Sequence, residues 1–252
     1  MIFGTGIMQK RILFPAIFGI LIVGGNAFLA QGKTPASPLL RSPVVVELFT
    51  SQGCSSCPPA DALIGRLAEE PGIIAISRPV TYWDCLGWHD TLAREANTAL
   101  QRSYVARGIG GEVFTPQVVV QGQASAVGSD ERAIHRLVAN AAGIANASIT
   151  ARAGDHGGLS LLLDGVSGIA TEVKLVTLRR KVAVRIGNGE NSGRSIVYTN
   201  VVSRERAIGT WRGGAQQFAM PANRMATAGG EQTAVIVQQR GGGPIIGALM
   251  LP

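Results

Sequence analysis

Val44-Val45-Val46-Glu47-Leu48-Phe49-Thr50-Ser51-Gln52-Gly53-Cys54-Ser55-Ser56-Cys57-Pro58-Pro59-Ala60-Asp61 is the stretch on which the reading of this chain turns. Its first part, opened by Pro43, is a β-branched apolar run of strand length. From Pro58 to Glu70 apolar residues recur at Ala60, Leu63, Ile64, Leu67 and Ala68, a helical spacing that Pro71-Gly72 ends. Two cysteines three residues apart therefore stand where a buried strand turns into a helix. Pro58 and Pro59 suit the first helical turn, where an N–H has no intrahelical partner to lose.

A C-x-x-C pair serves haem attachment, zinc binding and redox exchange. Haem attachment needs a histidine after the second cysteine, and Pro58 is there. A closed zinc site needs further ligands, and the remaining donors are Cys85 and the scattered His89, His135 and His156. No metal ligand set is expected from them. Three readings stay open. In the first, the partial positive charge and free N–H groups of the helix start stabilise a thiolate on Cys54, the more exposed of the pair. Cys54 then attacks a substrate disulfide and Cys57 resolves the mixed disulfide, an exchange that calls for no cofactor. In the second, the two thiolates hold a soft ion such as Cu(I). In the third, a permanent disulfide braces the turn of a binding module, although so short a loop gains little from cross-linking the unfolded chain.

Working outward, Ile73–Ile76 reads as a second strand running on towards Tyr82, and Thr91–Arg107 as a helix stopped by Gly108. Gln117–Gln121 and Ala124–Val127 read as strands, and Ser129 as the cap of a helix reaching about Ala142. The order β-α-β-α-β-β-α implies a mixed sheet with helices on both faces. From about Asn146 the pattern changes to strand-like segments: 147–153, 159–163, 172–178, 182–186, 195–202, 216–219 and 234–239. Gly/Asn/Asp turns separate them, which suggests an all-β sandwich or barrel.

The second chemical signal is Thr115-Pro116, opening the apolar run Gln117-Val118-Val119-Val120; a proline cannot donate to a sheet ladder and belongs at a strand start. With a strand leading into C-x-x-C at a helix start, and with Arg107-Gly108-Ile109 before Thr115-Pro116, the chain resembles the thioredoxin superfamily. More narrowly, Val46 to Asp61, the loop Tyr82-Trp83-Asp84 with Leu86-Gly87-Trp88, and Gly189–Arg194 followed by Asn200-Val201-Val202 resemble a family of secreted bacterial proteins. That family has no assigned function, and its N-terminal part is thioredoxin-like. The resemblance covers nearly the whole mature chain. It implies an α/β thioredoxin-like N-terminal domain (43–145) followed by an all-β, sandwich-like C-terminal domain (146–252). It also implies that Pro116 is cis and faces the disulfide, with Thr115 beside it at the substrate backbone. Glu47 is the residue it suggests as proton acceptor for the resolving thiol, although Glu47 lies one residue further from Cys54 than the pattern implies. Gly53 stands where thioredoxins usually carry tryptophan. Such a resemblance implies a fold; a reaction has to be argued from the site.

Several residues carry two readings. Tyr82, Trp83 and Trp88 either roof the disulfide and shape a substrate groove or form a local hydrophobic cluster under a long loop. Cys85 is a third redox thiol, a soft-metal ligand or a small buried residue. Asp84, His89 and Asp90 are acid/base candidates at undiagnostic spacing, and no G-x-S-x-G elbow marks a hydrolase. Gly189–Arg194 lies between β segments with no helix after it, so it reads as a hairpin turn and not a phosphate cradle. Glu190 and Arg194 are candidates for a contact with the first half.

The chain has 252 residues, 46% hydrophobic, with 33 glycines and a net charge of +7. The apolar fraction is that of a globular protein. The basic excess is scattered, its longest run being Arg179-Arg180-Lys181, and so excludes nucleic acid as the expected partner. Lys10-Arg11, the apolar run Ile12–Val23 and the small residues Gly25 and Ala27 have the form of a secretory signal cleaved after Ala27. Residues 28–42 read as a linker. The expectation is an exported protein, periplasmic or secreted, membrane-held only if the signal stays uncleaved. Its expected partners are protein thiols or disulfides and an upstream redox partner.

Overall fold

The computed structural model describes residues 1–4, 6, 42–143, 146–221 and 229–251. The expected signal peptide and linker lie almost entirely outside the described residues. From Ser42 onward the chain builds a mixed α/β fold. Its strands are β1 (Val44–Thr50), β2 (Ile73–Pro79), β3 (Gln117–Val120), β4 (Ala124–Val127), β5 (Ala147–Ala153) and β6 (Leu159–Gly165). β7 (Thr171–Arg185), β8 (Ser195–Trp211), β9 (Gln216–Met220), β10 (Glu231–Gln239) and β11 (Ile245–Met250) follow. The helices are α1 (Pro58–Leu67), α2 (Glu95–Ala106) and α3 (Glu131–Ala141). Asp130, not Ser129, caps α3: its carboxylate accepts the Ala133 N–H at 2.9 Å, as an N-cap side chain does.

Eight strands form one sheet in the order β11-β10-β7-β8-β2-β1-β3-β4. β1 is buried along its whole length, as a central strand with a parallel neighbour (β2) and covered faces must be, and this is why its apolar residues run on without alternating. Val44, Val46 and Leu48 face α1 and α3 through Leu63, Ile64, Leu67 and Ile134. Phe49 packs on the other side against Tyr104 of α2, ring centroids 6.0 Å apart. Helices thus cover both faces of this end of the sheet, as the element order implied.

The change of pattern at residue 146 marks where the α-helices end, not where the sheet does. β7, β8, β10 and β11 continue the sheet begun by β1–β4. A sandwich forms only at the far end. There the three-stranded sheet β5-β6-β9 lays Ala147, Leu161 and Leu163 against Val173, Leu175, Trp211 and Val235. The charged run Arg179-Arg180-Lys181 does not break its strand, because β7 passes through it and carries the long side chains at a half-exposed edge.

The seam between the two groups of strands is short in backbone terms: β2 and β8 register at the single parallel pair Ser77 and Val201. Side chains reinforce it. Ser77 Oγ donates to the Thr199 carbonyl at 2.7 Å, and Asn200 Nδ2 donates to the Ala75 carbonyl at 2.9 Å. Asn200 has φ 51°, a left-handed conformation that asparagine tolerates better than most residues. Beside the seam Arg78, 2% exposed, donates to Glu47 at 2.6 Å and pairs with Glu205 at 2.8 Å. Lys174 reaches Glu205 at 3.1 Å, and Tyr104 donates to the second Glu47 oxygen at 2.5 Å. Burial alone would raise the Glu205 carboxyl, yet Arg78 and Lys174 overcome it and pull it down to about 2.

Candidate functional site

Cys54 and Cys57 are joined by a disulfide, and Cys57 is the N-cap of α1 with helical φ and ψ. Pro58 and Pro59 occupy the first two helical positions. The axial dipole of α1 therefore points at the sulfur pair, but two of the N–H groups expected there are absent because proline has none. The only polar side chain with a hydrogen-bond contact to Cys54 Sγ among the described residues is Ser56, at 3.4 Å. Cys54 was expected to be the more exposed cysteine; both are 0% exposed, lying beneath the exposed Ser55-Ser56 turn.

Three segments pack around the Cys54–Cys57 turn. The peptide bond before Pro116 is cis, at the entrance to β3, which pairs antiparallel with β1. Pro116 packs beside the first turn of α1. A Cβ on Gly128 would come within 2.9 Å of Pro116 Cβ, 3.1 Å of Ala60 Cβ and 2.8 Å of Leu48 Cδ1, so only glycine lets these three groups converge. Trp83 Nε1 donates to Thr115 Oγ1 at 2.8 Å, and Trp83 Cβ would lie 3.3 Å from a Cβ on Gly53. Trp83, arriving from the loop, thus packs against the backbone just before Cys54. Tyr82 joins the cluster of Phe49, Val80 and Tyr104. Trp88 packs with Ile186, Leu92 and Tyr198, and its Nε1 donates to Gln52 Oε1 at 2.8 Å. Cys85 is exposed, its Sγ 3.6 Å from the Tyr82 carbonyl, and so is not the small buried residue that was one reading of it.

The third segment is the turn of the β7–β8 hairpin, as its sequence implied. Asn191, fully buried, donates through Nδ2 to the Gln52 carbonyl at 2.9 Å and the Cys54 carbonyl at 2.8 Å. Arg194 donates to Asn191 Oδ1 at 3.2 Å, fixing the amide orientation. Glu190 accepts the Ser55 N–H at 3.2 Å. This places a carboxylate where it works against a neighbouring thiolate. Asp90, 2% exposed, takes the Gln52 and Leu92 N–H groups at 2.8 Å each, and burial pushes its carboxyl up despite these bonds. Asp84 accepts the Asp90 N–H at 3.1 Å and pairs with the exposed His89 at 2.9 Å. These groups hold the backbone before Cys54 in place.

The two buried acids nearest the problem of proton transfer differ in one respect. Glu47 has both oxygens occupied, by Arg78 and Tyr104, which ties it to the seam of the sheet. Asp61 was not singled out from the sequence. It stands four residues after Cys57, 1% exposed, with Oδ1 accepting the Thr50 hydroxyl at 2.8 Å. Its Oδ2 has no hydrogen-bond partner among the described residues. Burial, against the opposing Thr50 bond and with help from Asp90, raises its carboxyl to about 8.

A mixed α/β protein with a disulfide at a helix start, flanked by a cis proline, an aromatic loop and a β-hairpin turn, is the class that fold and site define. The chain belongs to the family described as "Protein of unknown function (DUF1223)", which it matches over residues 45–238. It is similar to the crystal structure of protein AGR_C_4864 from Agrobacterium tumefaciens (TM-score 0.70, 30% identity, covering 82% of this chain and 93% of that one). It is also similar in fold to HBP35 of Porphyromonas gingivalis (TM-score 0.55, 14% identity, 84% and 75% covered). A 37-residue segment is 43% identical to a protein named "Probable Thioredoxin" from Archaeoglobus fulgidus. That segment is 15% of this chain and spans 41% of the relative's length.

Proposed function

We propose that this chain is an exported, thioredoxin-like thiol–disulfide oxidoreductase whose substrates are protein thiols or disulfides and which is recharged by an upstream redox partner. The observation that carries the reading is the juxtaposition of the Cys54–Cys57 disulfide at the start of α1 with the Thr115–Pro116 cis peptide beside the same helical turn. Cys54 is the sulfur attacked by a substrate thiolate, and Cys57 leaves as the second thiol. In the reverse direction Cys54 attacks and Cys57 resolves. Thr115 and the aromatic loop with Tyr82 and Trp83 border the site. Trp88 contributes by holding Gln52. Because both sulfurs are buried, exchange requires the backbone around Cys54 to open, and the Asn191 bonds to the Gln52 and Cys54 carbonyls are among those that hold it closed.

The burial of both cysteines favours a second reading, an inert brace in a binding module. Reduction of insulin disulfides by the dithiothreitol-coupled assay separates the two. The wild type is expected to accelerate insulin precipitation and Cys54→Ser to bring it to the uncatalysed rate. A wild type no faster than Cys54→Ser sinks the redox reading.

A further inference from the structure

Cys57 and Asp61 are four residues apart at the start of α1, and the Asp61 N–H donates to the Cys57 carbonyl at 3.0 Å in regular helical fashion. Side chains at this spacing share one helix face, with Cβ atoms about 5–6 Å apart. The carboxyl is held at Oδ1 by Thr50 of β1 and lies within electrostatic reach of Tyr198 of β8, whose hydroxyl also has no hydrogen-bond partner among the described residues. Asp90 approaches from the loop before α2. On its outer side lies a cleft of about 500 Å³ between α1 and the β7–β8 hairpin, lined by Pro58, Asp61, Arg66, Lys181, Ile196 and Thr199. The charged groups facing it are Arg66, which is paired to Glu131 at 2.9 Å, Glu69 and Lys181. The Thr50 bond occupies Oδ1, but Oδ2 of this buried acid, one turn from the resolving sulfur and at the floor of a cleft open to water, has no structural partner among the described residues.

We infer that Asp61 is the proton-transfer residue of the disulfide exchange, handing its proton to Cys57 Sγ as the bond opens and taking it back as the bond closes. The inference rests on the redox reading above. A substrate thiolate attacks Cys54 Sγ and the new S–S bond forms. The Cys54–Cys57 bond breaks with its electron pair on Cys57 Sγ, and the Asp61 proton neutralises that thiolate. The carboxylate left behind regains a proton from water in the cleft. A carboxyl raised to about 8 is close to the ordinary thiol range, which suits transfer in either direction.

The test is the rate at which a small thiol, 2-mercaptoethanol, opens the disulfide of the full chain, divided by the thiolate concentration at each pH. For the wild type this normalised rate is expected to be constant at low pH and to fall above about pH 8, where Asp61 loses its proton. Asp61→Asn is expected to be at least tenfold slower near neutrality and to lack that fall. Infrared difference spectra of the wild type, reduced minus oxidised, give a second readout that needs no variant: the Asp61 carboxyl stays protonated in both states below about pH 8, and its band shifts as the neighbouring sulfur changes from disulfide to thiol. A variant with the wild-type profile, or difference spectra without a carboxyl band, overturns the inference while leaving the redox reading intact. A wild-type disulfide that 2-mercaptoethanol cannot open under native conditions overturns both.

Discussion

Arg78→Ala is expected to lower the folding free energy by about 3–5 kcal/mol, the usual cost of removing one partner from a buried ion pair. Two carboxylates depend on this guanidinium. Glu47 is 1% exposed and accepts from Arg78 at 2.6 Å, and Glu205 pairs with it at 2.8 Å. Without Arg78 Glu47 keeps only the Tyr104 hydroxyl, and Glu205 keeps Lys174. The damage falls on the seam of the sheet, where β2 and β8 share one registered pair. Arg78→Lys is expected to recover only part of the loss, because an ammonium cannot reach Glu47, Glu205 and Asn97 at once as the guanidinium does. The network also sets the acid limit. The Glu205 carboxyl titrates near 4.5 when unfolded and about 2 when folded. Its contribution is therefore fully present above about 4.5 and is lost as pH falls from there through about 2. Urea denaturation from pH 6 down to about pH 2 should show the wild type weakening steeply below about 4.5 and Arg78→Ala already weak at pH 6. Equal stability of the two proteins would mean the seam does not rely on this network.

Asn191→Ala is expected to make the disulfide about tenfold easier to reduce by a small thiol. The side chain makes two hydrogen bonds, to the Gln52 and Cys54 carbonyls, from a fully buried position. At about 0.5–1.5 kcal/mol each, their loss favours the open backbone by a factor between about 5 and 150. Reduction through a rare open state should speed up in proportion. Glu190→Gln leaves the same turn in place but removes the charge beside the Ser55 N–H. It should stabilise a thiolate at Cys54 while keeping both Asn191 bonds, and so shift the opening equilibrium less than Asn191→Ala does. Alkylation and mass measurement after short exposure to reductant follow both effects. An unchanged rate in Asn191→Ala would show that this turn does not control access.

Much of this arrangement is local in sequence and was legible there. A continuous apolar run, a cysteine pair and two prolines specify a strand, a turn and a helix within eighteen residues from Val44 to Asp61. The cis proline was legible only through resemblance, since Thr115-Pro116 alone fits any strand start. What escaped reading is non-local. Arg78 in a strand looks like an ordinary solvent-facing residue until Glu205 is brought to it across the seam. Asn191, in a Gly-rich turn, carries no signal that it will be buried against Cys54. Asp61 did carry one, its spacing of four from Cys57, but an acid in a first helical turn is already explained by the helix dipole. That β7, β8, β10 and β11 share a sheet with β1–β4 was not legible for the same reason. Strand periodicity tells where helices stop, whereas membership of a sheet is decided by pairing partners far along the chain.

The measurement that bears most directly on the central claim is the equilibrium between the Cys54–Cys57 disulfide and defined glutathione redox buffers, read by quantitative alkylation of the purified protein. A pair that exchanges with protein thiols should titrate between about −120 and −270 mV, the range of known dithiol exchange proteins. A potential below about −300 mV, where bridges resist the thiol pool, would contradict the account and make the disulfide a brace.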